Sequence, residues 1–340
     1  MKNSIGDENT ILKAVILREF GGPENLQFED IPNPDPKPGE IRVKIKAIGL
    51  NRAEVATRVG KYLLTKDLPV RLGMEGAGVV DALGEGVSEF AVGDRVAVVP
   101  EGKFQASQGT YSEFVNYPAN RIARTPDILS DEEASATWMA YLTAWAAIIK
   151  QAGGKAGENC IVTAASSSLG IPAFQILKRE GMTSIAVTRS TEKVAALKSG
   201  GSDFVIDTSK EDLKERVKEI TAGKGADIAF DAVGGPGMKA LITAMNFGGR
   251  IITYGLLDSR PVELSPWWLL SKQISIMGHM IFLAIADDSV RREGVEYITS
   301  GIESGVFKPL IAKIFDFDKI ADAHRFMQSN QQIGKIVVRV

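Results

Sequence analysis

The stretch AASSSLGIPAF, Ala164–Phe174, decides how this 340-residue chain is interpreted. It follows a short apolar run, CIVT, and opens a segment that is predicted to be helical. A turn at such a place binds a dinucleotide when it bends tightly, lets the backbone approach the pyrophosphate and packs the helix closely on the strand. Glycine usually meets each demand. Here Ala165 and Ser167 occupy the first two glycine positions and Gly170 occupies the third.

The serine-rich turn keeps the means to bind an anion. A serine at position 167 fits if its φ is negative, and the hydroxyls of Ser166 and Ser167 can then hydrogen-bond a phosphate. Leu169 and Gly170 are also expected to bind the cofactor, because the helix that begins near Gly170 offers free N–H groups and a partial positive charge. The alternative is a tight strand-to-helix turn in an α/β domain that binds nothing.

Alternation of strands and helices around this turn favours the binding interpretation. Near-continuous apolar strands alternating with helices indicate a parallel sheet covered on both faces. Six such strands make a complete doubly wound Rossmann sheet, and the serine turn is its first strand-to-helix connection. The predicted strands are 159–164, 184–189, 203–207, 227–233, 250–255 and 275–280.

The second predicted strand indicates which dinucleotide is bound. An NAD site needs an acidic residue at the end of this strand, to hold the ribose hydroxyls. The sequence from Met182 to Ser190 contains none and places Arg189 there, followed by Ser190 and Lys193. Cations with hydroxyls suit a 2′-phosphate, so the sequence predicts NADPH over NAD. Solvated charges at a helix start are the alternative.

The residues before Ser130 form short β-prone runs broken by turn signals, which predicts a compact barrel-like β domain. Ser130 and Glu133 then form a capping-box pattern, and a long apolar helix is expected to follow to about Gln151. The tail is expected to return to the first domain. The predicted division is therefore a discontinuous β-rich domain, 1–136 with 283–340, and a dinucleotide-binding domain, 137–282.

Composition excludes several classes of protein. A net charge of −2 gives no reason to expect binding of nucleic acid, which would favour a basic patch. The apolar run from Trp138 to Ile149 is too short to span a bilayer, and the N-terminal residues lack a signal-peptide pattern. One cysteine, Cys160, allows no internal disulfide and no cysteine-rich metal site, which favours a cytoplasmic setting.

The whole chain resembles the medium-chain dehydrogenase/reductase superfamily, in its quinone oxidoreductase-like branch. The matching motifs are GLNRAEVATRVGKY (49–62), GMEGAGVV (73–80), VGDRVAV (92–98), the serine turn, DAVGGPG (231–237), GGRIITYG (248–255) and GKIVVRV (334–340). The resemblance implies an α/β Rossmann domain, a β-rich GroES-like catalytic domain, and an active site in the cleft between them.

The resemblance also identifies the positions where zinc-dependent members bind their catalytic metal. Asn51 stands at the first ligand position, Met74 at the second, and Met139 at the third. These side chains do not make a catalytic zinc site, which needs thiolate, imidazole or carboxylate. The expectation is a reductase without zinc. Glu75, beside Met74, is expected to be structural.

Without zinc, the acceptor of a hydride must already be electrophilic. Quinones meet this condition, and NADPH:quinone oxidoreduction is the leading expectation. Enone or alkenal double-bond reduction is the first alternative, and a non-catalytic NADPH-binding sensor or structural protein is the second. By resemblance Asn51 and Tyr62 line the acceptor site. Asn51 capping a turn and Tyr62 as a half-buried loop aromatic remain the competing interpretations.

Further residues complete the predicted site. By resemblance Thr143 faces the nicotinamide end, while Val233, Tyr254 and Gly255 end later strands at the edge where cofactors lie. Lys335 is expected to reach the cleft or remain a surface lysine. The remaining expectations concern substrate-lining side chains and assembly: Met139 and Trp267 line the substrate, His279 is structural, and the last sheet strand pairs with a second copy in a homodimer or homotetramer.

Overall fold

The computed structural model describes residues 11–62, 67–101 and 109–340. Contacts divide the chain into two compact units, Met1–Met139 with Ile311–Val340 and Ala140–Leu310. The sequence analysis placed 283–310 with the β-rich part, whereas the contacts group these residues with the second unit. Gly294 illustrates this grouping, because a Cβ there would lie 2.8 Å from the ring of Trp145 in the second unit.

The first unit is rich in β-structure. Its strands are β1 (Ile11–Leu17), β2 (Leu26–Pro32), β3 (Glu40–Gly49), β4 (Val70–Arg71), β5 (Gly76–Leu83), β6 (Arg95–Val98), β7 (Phe114–Pro118), β8 (Ile122–Arg124), β15 (Ile311–Asp316) and β16 (Lys335–Arg339). Its helices are α1 (Arg52–Arg58), α2 (Asp131–Ser135), α3 (Trp138–Trp145), which runs on into the second unit, and α11 (Ile320–Gln328).

Two sheets enclose the core of this unit. One has the strand order β15-β16-β3-β5-β6-β8, with β7 paired to β3, and the other has the order β2-β1-β4. Alternating apolar residues such as Ile41, Val43 and Ile45 point inward from β3 and are buried. The tail strand β16 pairs antiparallel with the end of β3, and this pairing brings Lys335 close to Asn51.

The second unit contains the predicted doubly wound sheet. Its strands are β9 (Asn159–Val162), β10 (Thr183–Thr188), β11 (Phe204–Asp207), β12 (Ala226–Asp231), β13 (Met245–Thr253) and β14 (Ser275–Gly278). All pairings are parallel, in the order β11-β10-β9-β12-β13-β14. This order reverses beside β9, and ligands bind at such a reversal in doubly wound sheets.

Helices connect these strands and cover the sheet. They are α4 (Gly170–Arg179), α5 (Val194–Ser199), α6 (Leu213–Ile220), α7 (Met238–Ala244), α8 (Pro266–Lys272), α9 (Ile281–Ala284) and α10 (Asp288–Glu303). The long helix expected from Ser130 to Gln151 is interrupted. It comprises α2, α3 and a π-helical turn, Ala146–Gln151, and Ala136 closes α2. None of the helices among the described residues is long and apolar enough to cross a membrane.

Candidate active site

The predicted site residues form two groups, one in each unit. The serine turn, Arg189, Ser190, Lys193 and the ends of β12 and β13 belong to the second unit. Asn51, Tyr62 and Lys335 belong to the first. Each group has its own geometry.

The serine turn presents backbone donors ahead of a helix. Ala164 takes a left-handed φ of 45°, and Ser167 N–H donates to Ala164 O at 2.8 Å. The N–H groups of Ser166, Ser168 and Leu169 have no acceptor in the described part of the chain. Three such donors before the N-terminus of α4 form a cradle for an anion.

Gly170 meets the packing demand of the third glycine position. A Cβ on Gly170 would lie 1.7 Å from the carbonyl oxygen of Ala165, so no side chain fits there. Helix α4 therefore starts in direct contact with the turn, as the sequence analysis expected of this glycine.

The two serine hydroxyls point to different partners. Ser166 Oγ accepts a hydrogen bond from Lys193 Nζ at 2.9 Å. The Ser167 hydroxyl is buried beside the Tyr254 phenol. Burial and the charge of Asp231 raise the pKa of that phenol, and Ser167 lowers it. Apart from this pairing, neither the Ser167 nor the Tyr254 hydroxyl has a hydrogen-bond partner among the described residues. Two neighbouring hydroxyls with no other partner fit a polar ligand.

Cationic and hydroxyl side chains follow the end of β10. Arg189 follows the end of β10 and is exposed, while Ser190 is half-buried beside it. Burial lowers the pKa of Lys193, whose ammonium reaches the turn through Ser166. Arg260, and to a smaller extent Arg189, lower the pKa of Asp258 to about 2. Of the predicted cations, Lys193 contacts the serine turn, and Arg189 acts on Asp258.

One buried carboxylate at the end of β12 binds the residue that follows β9 and the loop that follows β12. Asp231 accepts hydrogen bonds from Thr163 Oγ1 at 2.6 Å and from Val233 N–H at 3.1 Å. Tyr254 stacks on Phe230, with the ring centroids 3.9 Å apart. A Cβ on Gly255 would lie 2.7 Å from Ala232 O, so Gly255 closes the loop tightly. Val233, Tyr254 and Gly255 thus meet at the carboxyl edge of the sheet.

In the first unit Asn51 begins helix α1 through a capping box with Glu54. The Asn51 N–H donates to Glu54 Oε2 at 2.9 Å. The shortest hydrogen bond of the Asn51 side chain is with Lys335, whose Nζ donates to Asn51 Oδ1 at 2.7 Å. The Asn51 amide also donates to Glu75 Oε1 at 3.3 Å. The carboxamide oxygen is therefore firmly engaged, whereas the amide nitrogen makes only long contacts, at 3.3–3.4 Å, with Gly49 O, Glu54 Oε1 and Glu75 Oε1.

Glu54 is fully buried and surrounded by donors. Its Oε2 accepts from Tyr111 OH at 2.6 Å as well as from Asn51 N–H, and its Oε1 accepts from Met74 N–H at 3.0 Å. Burial outweighs these bonds and raises the pKa of Glu54 to about 7. Tyr111 OH also contacts His324 Nε2 at 2.9 Å, and burial lowers the pKa of His324 to about 3.

Glu75 and Lys335 form a buried ion pair, with side chains 1% and 2% exposed. Glu75 Oε2 also accepts from Met139 N–H at 2.9 Å. Gly49 lies against this pair, because a Cβ there would be 2.8 Å from Glu75 Oε1 and 2.0 Å from Ser135 O. Lys335 is a buried partner of Asn51 and not a surface lysine.

The other predicted residues occupy varied environments. Tyr62 is half-buried, and its pKa is raised by burial and by the charge of Glu54. Met139 and Thr143 are buried on helix α3. Trp267 is 71% exposed on α8. His279 is buried and contacts Gln151 through Nδ1 at 2.7 Å, which is a structural role.

Comparison with known proteins identifies the class of protein to which this site belongs. Residues 37–127 match the alcohol dehydrogenase GroES-like domain, and residues 200–338 match the zinc-binding dehydrogenase family. The chain belongs to the medium-chain dehydrogenase/reductase superfamily and is quinone oxidoreductase-like. It is an oxidoreductase of that superfamily, and the resemblance inferred from the motifs is confirmed.

Particular relatives span nearly the whole chain. Quinone oxidoreductase of Rattus norvegicus is 28% identical over 96% of this chain and 98% of the relative. The structure of Escherichia coli quinone oxidoreductase complexed with NADPH has a TM-score of 0.88 and 28% identity, covering 96% of this chain and 100% of that one. An NAD-dependent alcohol dehydrogenase structure has a TM-score of 0.86 and 32% identity, covering 96% and 99%.

The zinc-binding name of one matching family calls for a test of the residues. At the three positions where zinc-dependent members bind metal, this chain offers Asn51, Met74 and Met139. The Asn51 oxygen accepts from an ammonium, and the nearest carboxylates, Glu54 and Glu75, are occupied by N–H and O–H donors. Zinc needs thiolate, imidazole or free carboxylate ligands. The described residues at these positions do not fit a catalytic zinc ion.

Glu54, Tyr111 and His324 were missed by the sequence analysis. One signal was available for Glu54, because Asn51-Arg-Ala-Glu54 has the same capping-box spacing as Ser130-Asp-Glu-Glu133. Tyr111 and His324 reach Glu54 only through the fold, since they lie far from it along the chain.

Proposed function

We propose that this chain is an NADPH-dependent reductase that transfers hydride, without zinc, to a quinone. The observation that carries the proposal is the contact of Lys193 with Ser166, beside the cradle of free N–H groups. Arg189 and Ser190 follow β10, and no carboxylate ends that strand. Such a cluster favours a 2′-phosphate. The similarity to a quinone oxidoreductase complexed with NADPH supports the same cofactor.

The chain's own residues take separate roles in this proposal. The turn from Ala165 to Gly170 binds the pyrophosphate, with Val233, Tyr254, Gly255 and Thr143 along the rest of the cofactor. NADPH supplies the hydride. The Asn51 amide exchanges one of its long contacts, at 3.3–3.4 Å, for a hydrogen bond to the acceptor oxygen. Tyr62 hydrogen-bonds or protonates the same oxygen. Burial and Glu54 keep the Tyr62 phenol protonated, the form that can donate.

Other functions remain alternatives. Reduction of an enone or alkenal double bond uses the same residues and differs in the shape of the acceptor site. A non-catalytic NADPH-binding sensor or structural protein would keep the turn and lose turnover. NAD as the cofactor is favoured by one observation, the likeness to a structure described as an NAD-dependent alcohol dehydrogenase. A cytoplasmic setting and a homo-oligomer stay predictions.

The proposed homo-oligomer would use an exposed surface of the second unit. Strand β14 is at the edge of the sheet, and Ile276 on it is partly exposed. Apolar side chains nearby in the chain are also exposed: Leu256, Leu257, Val262, Leu264, Trp267, Leu270 and Leu283. An open sheet edge with exposed apolar residues favours pairing with a second copy. We therefore propose that Trp267 contacts a second copy of the chain and does not line the substrate site.

A steady-state assay on chelator-treated protein tests the function. NADPH and NADH are each supplied with a quinone and, in parallel, with an enone, and loss of reduced-nicotinamide absorbance is followed. The expected result is turnover with NADPH that chelation leaves unchanged. Binding of NADPH without turnover of any acceptor would favour the sensor alternative.

Arg189→Ala sharpens the cofactor assignment. Loss of its charge is expected to lower kcat/KM for NADPH by about tenfold or more, because a guanidinium pairs with phosphate by charge-assisted hydrogen bonds. Turnover with NADH should stay within about twofold. Lys198→Ala, an exposed cation on α5, is the matched control and should change neither. Equal loss with both cofactors would contradict a 2′-phosphate role.

A further inference from the structure

Glu54 is hydrogen-bonded to Asn51, the residue proposed to bind the acceptor, and has no role of its own in the proposed function. Its carboxylate connects three separate segments of the first unit. It accepts from Asn51 N–H at the start of α1, from Met74 N–H before β5, and from Tyr111 OH before β7. The Asn51 amide also donates to Glu54 Oε1 at 3.4 Å. Four donors converge on one buried group.

Both oxygens of the Glu54 carboxylate act as acceptors, because each one faces two of these donors. Tyr111 has one hydroxyl proton and donates it to Glu54, so His324 donates from Nε2 to the Tyr111 oxygen. His324, Tyr111, Glu54 and Asn51 thus form one chain of buried hydrogen bonds, and Lys335 and Glu75 extend it from the other face of Asn51. The orientation of the Asn51 carboxamide is set from both sides.

From this arrangement, we propose that Glu54 is a positioning residue that holds the Asn51 carboxamide in the orientation needed to hydrogen-bond the acceptor. Tyr111, itself oriented by His324, fixes the carboxylate of Glu54. The inference rests on the proposed function, because it deepens the role given there to Asn51. Misalignment of a hydrogen-bond donor at a reacting oxygen costs rate even when the fold is intact.

The chain provides a matched control in its second capping box. Glu133 accepts from Ser130 N–H at 2.9 Å, as Glu54 accepts from Asn51 N–H, but this box is exposed and far from the proposed site residues in the hydrogen-bond network. Glutamine still caps a helix at this position. At position 133 the change to glutamine is therefore tolerated. At position 54 the new amide would face donors only, and at least one of them would lose its acceptor.

The experiment compares Glu54→Gln with Glu133→Gln at pH 8. With NADPH and the preferred acceptor, Glu54→Gln is expected to lower kcat by roughly 10- to 100-fold, with the NADPH Kd changed by less than about twofold. Glu133→Gln should retain wild-type kcat. Tyr111→Phe removes one donor to Glu54 and should lose about threefold to tenfold in kcat. Wild-type kcat in folded Glu54→Gln would overturn the inference.

Hydrogen exchange provides a readout that does not depend on activity. Peptides that contain Asn51 and Met74 should exchange faster in Glu54→Gln than in wild type, while the peptide that contains Ser130 should not change in Glu133→Gln. Unchanged exchange at Asn51 would overturn the inference even if activity fell. Absence of wild-type turnover with every acceptor would refute the proposed function instead, and the exchange result would still decide whether Glu54 orders Asn51. If Glu54→Gln does not fold, Tyr111→Phe supplies both readouts.

Discussion

Two helices of the first unit begin with the same local pattern and have different surroundings. At Ser130, the hydroxyl accepts from Glu133 N–H at 3.2 Å and the Glu133 carboxylate accepts from Ser130 N–H, which completes a capping box at the surface. At Asn51, the corresponding glutamate is fully buried, and the Asn51 side chain is held by Lys335. The first box starts a helix, and the second is also part of a buried polar network.

The comparison shows what a spacing pattern can and cannot say. A polar residue followed three positions later by glutamate specifies a helix start in both places. Whether the box becomes part of a site depends on what the fold packs against it. Around Asn51 the tail strand brings Lys335, and the loop before β7 brings Tyr111.

The largest expected difference concerns ion pairs on strand β16. Lys335→Met leaves the Glu75 carboxylate buried without its counter-charge, and a loss of about 3–5 kcal/mol in the free energy of unfolding is expected. Arg339 on the same strand pairs with Glu132 at the surface, its side chain 55% exposed. Arg339→Met should cost less than about 1 kcal/mol. Urea unfolding of both variants measures the difference, and equal losses would remove the distinction between buried and exposed pairs.

The pH dependence of stability provides the next test of the buried box. The pKa of Glu54 is raised from 4.5 in the unfolded chain to about 7 in the fold. Between these values the unfolded chain releases the proton and the folded chain keeps it, so stability contributed by Glu54 is lost as pH rises. Relative to Glu54→Gln, wild type should lose up to about 3 kcal/mol from pH 4.5 to 7. The difference should be constant above pH 8. If wild type instead gained stability relative to Glu54→Gln as pH rose, the raised pKa of Glu54 would be contradicted.

The smallest expected effect concerns the surface box alone. Ser130→Ala removes the side-chain acceptor for Glu133 N–H and should cost about 1 kcal/mol in the free energy of unfolding. Thermal unfolding measures this loss. Ser130→Gly should cost only a few tenths of a kcal/mol, because glycine is an acceptable N-cap. A loss for Ser130→Ala above about 3 kcal/mol would mean that this box has structural partners beyond its own helix.

Much of the second unit could be predicted from the sequence. The alternation of apolar strands and helices predicts the six-stranded parallel sheet, and Gly170 predicts the close contact of α4 with the turn, because both follow from local periodicity and sterics. The absence of a carboxylate after β10 is likewise read directly from the chain. These features depend on residues that are near in sequence.

The first unit was harder to predict, for a physical reason. Strands β2, β8 and β15 are short or edge elements whose patterns are weak, and they were not predicted. Lys335 and Asn51 meet through pairing of strands at opposite ends of the chain. The interruption of the long helix after Ser135 left no signal that the sequence analysis used. Long-range pairing, and not local propensity, builds the Asn51 network.

The most direct test of this account is the turnover of Asn51→Ala beside that of Ser130→Ala. Each change removes the N-cap side chain of one capping box and keeps the glutamate. With chelated protein, NADPH and a quinone, Asn51→Ala is expected to lose at least about tenfold in kcat while NADPH still binds, and Ser130→Ala should stay within about twofold of wild type. Equal kcat values for the two variants would contradict the claim that the buried box belongs to the reaction site.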